Sequence, residues 1–243
     1  MLTPSEMKDR MHELARNEGN IVGIYNYCDR WCERCAFTSK CLNYASSEDA
    51  PDTDGPELWD YLHTVFQATM LMLEEMVEEA GLDPEEIKNM EPPEEPDPKD
   101  HPLYKKVHDL SFSIHKWLEQ NKPGTYYDEE IEIIPDNEKF HRFKEALEVI
   151  CFYNFFISAK IFRALHGTHH FEKDELQSDS NGSAKIALIA TDRLIAAWSV
   201  AMENMMDHED EILKFLLSLA DIRKETESTF PQARKFVRPG FDD

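Results

Sequence analysis

The chain has 243 residues, 41% of them hydrophobic, a length that predicts one domain or one domain with an appendage. Asp and Glu number 49 against 26 Lys and Arg, which gives a net charge of −23. Such a surface repels nucleic acid and anionic membranes, because both bind proteins mainly through cationic side chains. We therefore expect neither as a partner. The charge suits a basic or redox protein partner, or simply keeps the protein soluble.

The first residues predict a short capped helix. Thr3 and Glu6 form a capping-box pattern, and the helix should run to about Asn17. No basic stretch followed by an apolar one precedes it, so we expect no signal peptide and a cytoplasmic location. No run approaches the roughly 18 uncharged apolar residues of a membrane span. A second helix is expected from Ile21 to about Cys35.

Four cysteines stand close together in the run CDRWCERCAFTSKC, at positions Cys28, Cys32, Cys35 and Cys41. On a continuous helix the first three fall within about 60° of one another, so their thiols project from one face. The helix must then end after Cys35, and residues 36–40 must return Cys41 to the others. The fifth cysteine, Cys151, lies in an apolar segment and is expected to be buried and outside this set.

Clustered cysteines in a reducing compartment bind metal more often than they pair as disulfides. Residues 21–46 carry three basic and two acidic side chains, a net charge of +1, which should lower the pKa of the thiols. Aromatic residues surround the cysteines and would shield a bound group from water or pack a small core: Tyr25, Tyr27, Trp31, Phe37 and Tyr44.

The spacing Cys32-x2-Cys35-x5-Cys41 resembles the last three cluster ligands of WhiB-like iron–sulfur proteins and of helix-hairpin-helix DNA glycosylases. The segment from Cys32 to Tyr44 resembles the WhiB-like sequence in particular. The resemblance implies a 4Fe–4S cluster held by these three cysteines and one upstream, here Cys28. Ala36 stands where WhiB-like proteins commonly have proline, and their basic DNA-binding tail has no counterpart. Only the cluster type is therefore carried over.

Two other sites fit the same residues. Four thiolates also suit a zinc ion, although structural zinc sites usually present two short ligand pairs separated by a longer loop. Cys28-x3-Cys32-x2-Cys35 matches the radical S-adenosylmethionine signature, but that family places it on a β/α barrel, and this chain has almost no strand-like runs. We expect a 4Fe–4S protein in electron transfer or redox sensing. The alternative is a zinc-stapled acidic interaction module.

Apolar periodicity beyond the cysteines predicts an all-α multi-helix bundle. One helix should run from Leu58 to Ala80 with Gly81 at its end, another should end at Gly167, and one or two should cover residues 183–230. The predicted organisation is a cysteine-rich helical segment at 1–47, an acidic linker at 48–56, a bundle at 57–230 with a Pro-rich acidic loop at 91–102, and a tail at 231–243.

A second site within the bundle would make the protein a helical-bundle metalloenzyme with an auxiliary cysteine site. Glu138 and His141 form an E-x-x-H pair, a unit of di-iron bundles. Glu148 and Asp192 lie among apolar residues and are expected to be buried. A solvated helical turn explains the first pair more simply, and structural ion pairing explains the other two. The basic partners expected for those carboxylates are Lys160, Arg163, Lys185 or Arg193.

Overall fold

The structure is a computed structural model that describes residues 2–51, 55–89, 95–122, 138–168 and 174–242. These residues contain helices and no strands, which confirms the predicted all-α class. Among them, no helix has both the length and the apolar character needed to cross a membrane. The α-helices of the described ranges are α1 (Pro4–Ala15), α2 (Leu42–Ser47), α3 (Pro56–Glu79), α4 (Pro84–Asn89), α5 (Pro102–Asn121), α6 (Glu138–Gly167), α7 (Asp179–Asn204) and α8 (Glu209–Thr229).

The chain divides into two compact units. One unit comprises Met1–Glu94 together with Arg238–Asp243, and the other comprises Glu95–Val237. The first is called here the cysteine unit and the second the bundle unit. The segment boundaries expected from the sequence stay a prediction. Residues 52–54 of the expected linker and 91–94 of the expected Pro-rich loop lie outside the described ranges.

Helix α1 of the cysteine unit begins with the predicted capping box. The Thr3 hydroxyl accepts a hydrogen bond from the Glu6 N–H at 3.3 Å, and the Glu6 carboxylate accepts one from the Thr3 N–H at 2.8 Å. The helix packs on α3, where Lys8 pairs with Glu75. These contacts make α1 a fixed support for the cysteine-rich residues that follow it.

Helix α3 confirms the predicted helix and its end, since Gly81 has φ +66°, which is the left-handed conformation common just after a helix. It buries only small side chains, Thr64 and Ala68. Large apolar side chains of α3 are exposed: Trp59, Phe66, Met70, Leu73 and Met76. Apolar periodicity thus predicted the helix correctly but not the burial of its apolar face.

The bundle unit is built from the four longest remaining helices. Helix α6 packs along α7, α7 packs along α8, and α5 lies against both α6 and α8. At the centre, the fully buried Trp198 has its ring 5.5 Å from that of Trp117 and 5.0 Å from that of Phe215. Burial of such large aromatic surfaces supplies much of the stabilisation of a helical core.

Residues 183–230 form two helices rather than one. Helix α7 ends at Asn204, a short 3-10 turn spans Met206–His208, and α8 begins at Glu209. Three consecutive carboxylates, Glu209, Asp210 and Glu211, stand in the first turn of α8. Negative charge is favourable at a helix N-terminus, so this acidic run stabilises a new helix start at the break.

Candidate metal centre

The cysteine segment is not the predicted helix. Instead of one helix from Ile21 to Cys35, short 3-10 turns occur at Ile24–Asn26, Cys32–Arg34 and Thr38–Lys40. Gly23 has φ +76° and Arg30 has φ +60°. A residue in this left-handed region cannot continue a right-handed helix, so each of these two positions redirects the chain.

Backbone hydrogen bonds fold the segment back on itself. The Ile21 N–H donates to the Lys40 carbonyl at 2.9 Å and so joins the chain before the cysteine run to the end of that run. Within the run, the Cys35 N–H donates to the Cys32 carbonyl at 3.1 Å and the Cys41 N–H donates to the Thr38 carbonyl at 3.2 Å. The segment is therefore a closed loop of turns with cysteines at the turn ends.

All four clustered cysteines line one cavity. Its volume is about 20 Å³, against the roughly 10–15 Å³ that a single water molecule requires. Each cysteine is half-buried. The apolar and aromatic walls come from Ile24, Tyr25, Trp31, Phe37, Tyr44 and Phe241. Four of the five aromatic residues expected around the cysteines thus face this space with the thiols.

Two of the sulfurs make hydrogen bonds to the backbone of the loop. The Phe37 N–H donates to Cys35 Sγ at 3.4 Å, and the Cys28 thiol donates to the Tyr25 carbonyl at 3.6 Å. An amide N–H that points at a sulfur stabilises negative charge there, which is the interaction that tunes thiolate ligands in metal sites. The Cys35 environment is therefore suited to a thiolate.

The pKa of the Cys32 thiol is shifted in the direction opposite to the one expected from the sequence. Burial raises the pKa of its thiol, and the neighbouring Cys28, Cys41 and Cys35 raise it further. The predicted lowering by nearby basic side chains is wrong for this residue. Arg34 instead stacks its guanidinium on the ring of Trp31, 4.1 Å from the ring centre. The three neighbouring cysteines are thus close enough to Cys32 to affect its protonation. Ligands of one bound cation must be close together in this way.

The thiols share the cavity without forming a finished ligand set. No group of three or more His, Cys, Asp or Glu side chains within the described ranges is arranged to hold a metal ion. The four cysteines line one cavity, and three of them raise the pKa of Cys32, so the thiols lie near one another. To bind a metal ion, however, their sulfurs would have to point at a common position. Binding of a metal here would require side-chain and turn rearrangement, which is usual where metal binding is coupled to folding.

One residue of the cavity wall, Phe241, was not predicted from the sequence. Phe241 lines the same space as the cysteines, and its ring meets that of Phe37 edge to face at 5.0 Å. The available signal was the dipeptide Pro239-Gly240, which commonly marks a turn. That signal predicts a turn but not the part of the molecule on which the turn packs.

The second candidate site does not assemble among the described residues. Glu138 and His141 lie in the first turn of α6, and neither belongs to a group arranged to hold a metal ion. Glu148 is exposed, so the expectation that it is buried is wrong. Asp192 is half-buried and accepts hydrogen bonds from Arg234 at 2.8 Å and Arg223 at 3.4 Å.

The ion pairing of Asp192 was expected, but with other partners. Arg223 lies on α8 and Arg234 in the 3-10 turn that follows it. They follow Asp192 by 31 and 42 residues, so spacing along the chain did not indicate these contacts. Arg234 also pairs with Glu227. Such a network connects α7 to α8 and to the segment after it, which is a structural use of the carboxylate.

Cys151 lies on α6, apart from the four residues that line the cavity. Its side chain is exposed, so the predicted burial is wrong. Apolar neighbours nevertheless withdraw water from the sulfur and raise the pKa of the thiol. This environment disfavours the thiolate that metal binding requires.

Comparison with known proteins adds no family to these observations: no protein-family model, curated protein or solved structure matches the chain.

Proposed function

We propose that the cysteine unit binds a 4Fe–4S cluster through Cys28, Cys32, Cys35 and Cys41, and that the protein transfers electrons or senses redox state. The observation that carries the proposal is the single cavity that all four cysteines line, although they are separated by several turns of chain. The spacing of Cys32, Cys35 and Cys41, which resembles that of WhiB-like proteins, supports this cluster type over other thiolate-bound groups.

When bound, such a cluster supplies one-electron redox chemistry at a potential set by hydrogen bonds to sulfur and by solvent exposure. The surrounding residues provide both of these controls. The Phe37 N–H donates to a ligand sulfur, while Trp31, Phe37 and Phe241 limit the access of water. Four protein ligands leave no open coordination position for a substrate, which favours electron transfer or sensing over catalysis.

The charge of the molecule supports a basic redox partner. The net charge is −23, and exposed apolar side chains of α3 stand among carboxylates such as Glu74 and Glu78. Opposite charge accelerates the encounter of redox proteins and orients them, while a small exposed apolar area suits a transient contact. A partner with a basic contact surface would therefore deliver or accept the electron.

A single zinc ion is the second candidate, and one observation favours it. The cavity of about 20 Å³ is close in volume to one atom-sized guest, so a zinc ion would require the sulfurs to converge on it, whereas a four-iron cluster would also require the cavity to expand. Zinc held by four cysteines would brace the turns between Ile21 and Cys41. The protein would then be an acidic interaction module without redox chemistry.

Purification without air and elemental analysis of the same sample distinguish these functions. The proposal predicts a brown protein with broad absorbance near roughly 400 nm and about four iron and four sulfide per chain. The variant Cys32→Ser should be colourless, while Cys151→Ala should keep the colour. A colourless wild-type protein with one zinc per chain would replace the leading proposal by the second. A protein that binds neither metal from a supplemented medium or by reconstitution would refute both.

A further inference from the structure

Residues 238–242, called here the strap, form a tight turn in the cysteine unit. Pro239 and Gly240 occupy the two central positions, and the Phe241 N–H donates to the Arg238 carbonyl at 3.1 Å. Gly240 has φ +75°, the value required of the third residue of a type II turn. The Pro-Gly sequence is the preferred one for this turn, so the conformation is encoded locally.

The turn fits closely against the start of the cysteine segment. A Cβ at Gly240 would lie 2.9 Å from Ile21 Cδ1 and 3.1 Å from Ile24 Cδ1. Ile24 is fully packed, with 2% of its surface exposed. The position of the strap therefore depends on the absence of a side chain at residue 240.

A clamp within the strap orients Phe241. The Arg238 guanidinium pairs with Asp242 at 2.7 Å, and the two side chains are only 17% and 21% exposed. The Arg238 N–H also donates to the Asp242 carboxylate at 3.0 Å, and the guanidinium lies 4.9 Å from the centre of the Phe241 ring. These contacts hold the ring on the cavity side of the turn, where it meets Phe37.

Phe241 comes from a different part of the chain than the other residues of the cavity wall. Among the residues that the structure describes, the other ones that line the cavity all lie between Ile24 and Tyr44, within the segment that carries the cysteines. The cysteine loop therefore forms the cavity incompletely, and a residue from the far end of the sequence supplies the remaining wall. Displacement of the strap would remove this wall while leaving each cysteine in its own turn.

We propose that the strap gates the cysteine cavity, so that Phe241 and the Arg238–Asp242 clamp control the access of chelators, oxidants and other thiol reagents to the four cysteines. Protection of the metal-free thiols follows from the geometry alone. Control over the retention of a bound metal rests in addition on the proposed function.

Alkylation of the reduced, metal-free protein tests the gate without any metal. The rate of modification at each cysteine is followed by mass spectrometry, with Cys151 as an internal reference. Phe241→Ala and Gly240→Ala should accelerate the reaction of the clustered cysteines roughly tenfold, the effect expected from the loss of one aromatic contact and its closely packed turn. Asp242→Asn, which weakens the clamp and keeps the ring, should have a smaller effect in the same direction.

Gly81→Ala is the matched control for Gly240→Ala. Gly81 also has a positive φ, +66°, and belongs to the same unit, but no heavy atom of the described part of the chain lies within 4 Å of a Cβ added there. Both variants place an alanine at a positive φ, which strains the backbone, and only Gly240→Ala should displace the strap. Equal rates for the clustered cysteines in all variants would overturn the proposal. A change shared by Gly81→Ala and Gly240→Ala would also overturn it, since the cause would then be general destabilisation.

Release of metal to a chelator gives the second measurement. For protein loaded with the metal found by elemental analysis, the strap variants should lose it several-fold faster than wild type and Gly81→Ala. Unchanged release together with unchanged alkylation would refute the gate and leave the proposed function intact. If the wild type bound no metal at all, the proposed function would fail, and the alkylation rates would still decide whether the strap protects the thiols.

Discussion

Ser111 on α5 and Asn154 on α6 bind each other through two buried hydrogen bonds. The Ser111 hydroxyl donates to the backbone carbonyl of Asn154 at 2.6 Å, and the side-chain amide of Asn154 donates to the backbone carbonyl of Ser111 at 2.9 Å. Both side chains are almost wholly buried. A pair of this kind fixes the relative register of two helices, because a slide of either would leave buried polar groups without partners.

Asn154→Ala removes the side-chain donor to the Ser111 carbonyl but keeps the backbone carbonyl that accepts from the Ser111 hydroxyl. It should lower the free energy of unfolding by about 1–3 kcal/mol, the usual cost of a lost buried hydrogen bond together with a small cavity. Denaturant unfolding followed by circular dichroism measures the change. Ser113→Ala is the control, since that exposed hydroxyl donates to the Asp109 carbonyl of its own helix, and it should change stability by less than about 0.5 kcal/mol. Equal effects would contradict the role of the pair.

The capping box of α1 predicts a titration. Hydrogen bonds from the Thr3 N–H and hydroxyl lower the pKa of Glu6. Because the folded pKa is the lower one, the stabilisation is present at neutral pH and is lost as the pH falls through that pKa. An NMR titration of Glu6 should show the lowered pKa in the wild type. In Thr3→Gly the hydroxyl contribution disappears, so the pKa should move back toward its ordinary value.

Replacement of any clustered cysteine by serine should remove most of the bound metal. Cys28, Cys32, Cys35 and Cys41 line one cavity, and metal binding there would also stabilise the surrounding turns. Metal content and amide hydrogen exchange of residues 21–46 are the measurements, and Cys151→Ala should resemble wild type in both. Full retention of metal by Cys41→Ser would instead indicate a three-cysteine site with an open position.

The carboxylates of the bundle unit should be dispensable for metal binding. Asp192→Asn loses the ion pairs with Arg223 and Arg234. Because 39% of the Asp192 side chain is accessible to solvent, which screens both pairs, the change should cost only about 1 kcal/mol. Glu148→Gln, on an exposed position, should be nearly neutral. Elemental analysis should give the wild-type metal content for both. Loss of a metal in either variant would revive the metalloenzyme hypothesis for this unit.

The helices of this protein could be predicted because their signals are local. The Thr3–Glu6 capping box and the Gly81 C-terminal signal each depend on residues within one helical turn. The break between α7 and α8 was likewise one of the two possibilities that the sequence left open for residues 183–230. Apolar periodicity indicated that residues 56–79 are helical, but burial requires a neighbour, and the sequence does not say which helix faces are covered.

The sequence alone determined the all-α class seen in the described residues and the close spacing of four cysteines along the chain. The tertiary structure decided how they meet: Gly23 and Arg30 turn the chain where a helix was expected. It also decided which arginines pair with Asp192 and that Phe241 lines the cysteine cavity. The physical reason is the separation along the chain over which each interaction acts. Caps and periodicity act between near neighbours, whereas these contacts join residues far apart in the chain and exist only once packing has brought them together.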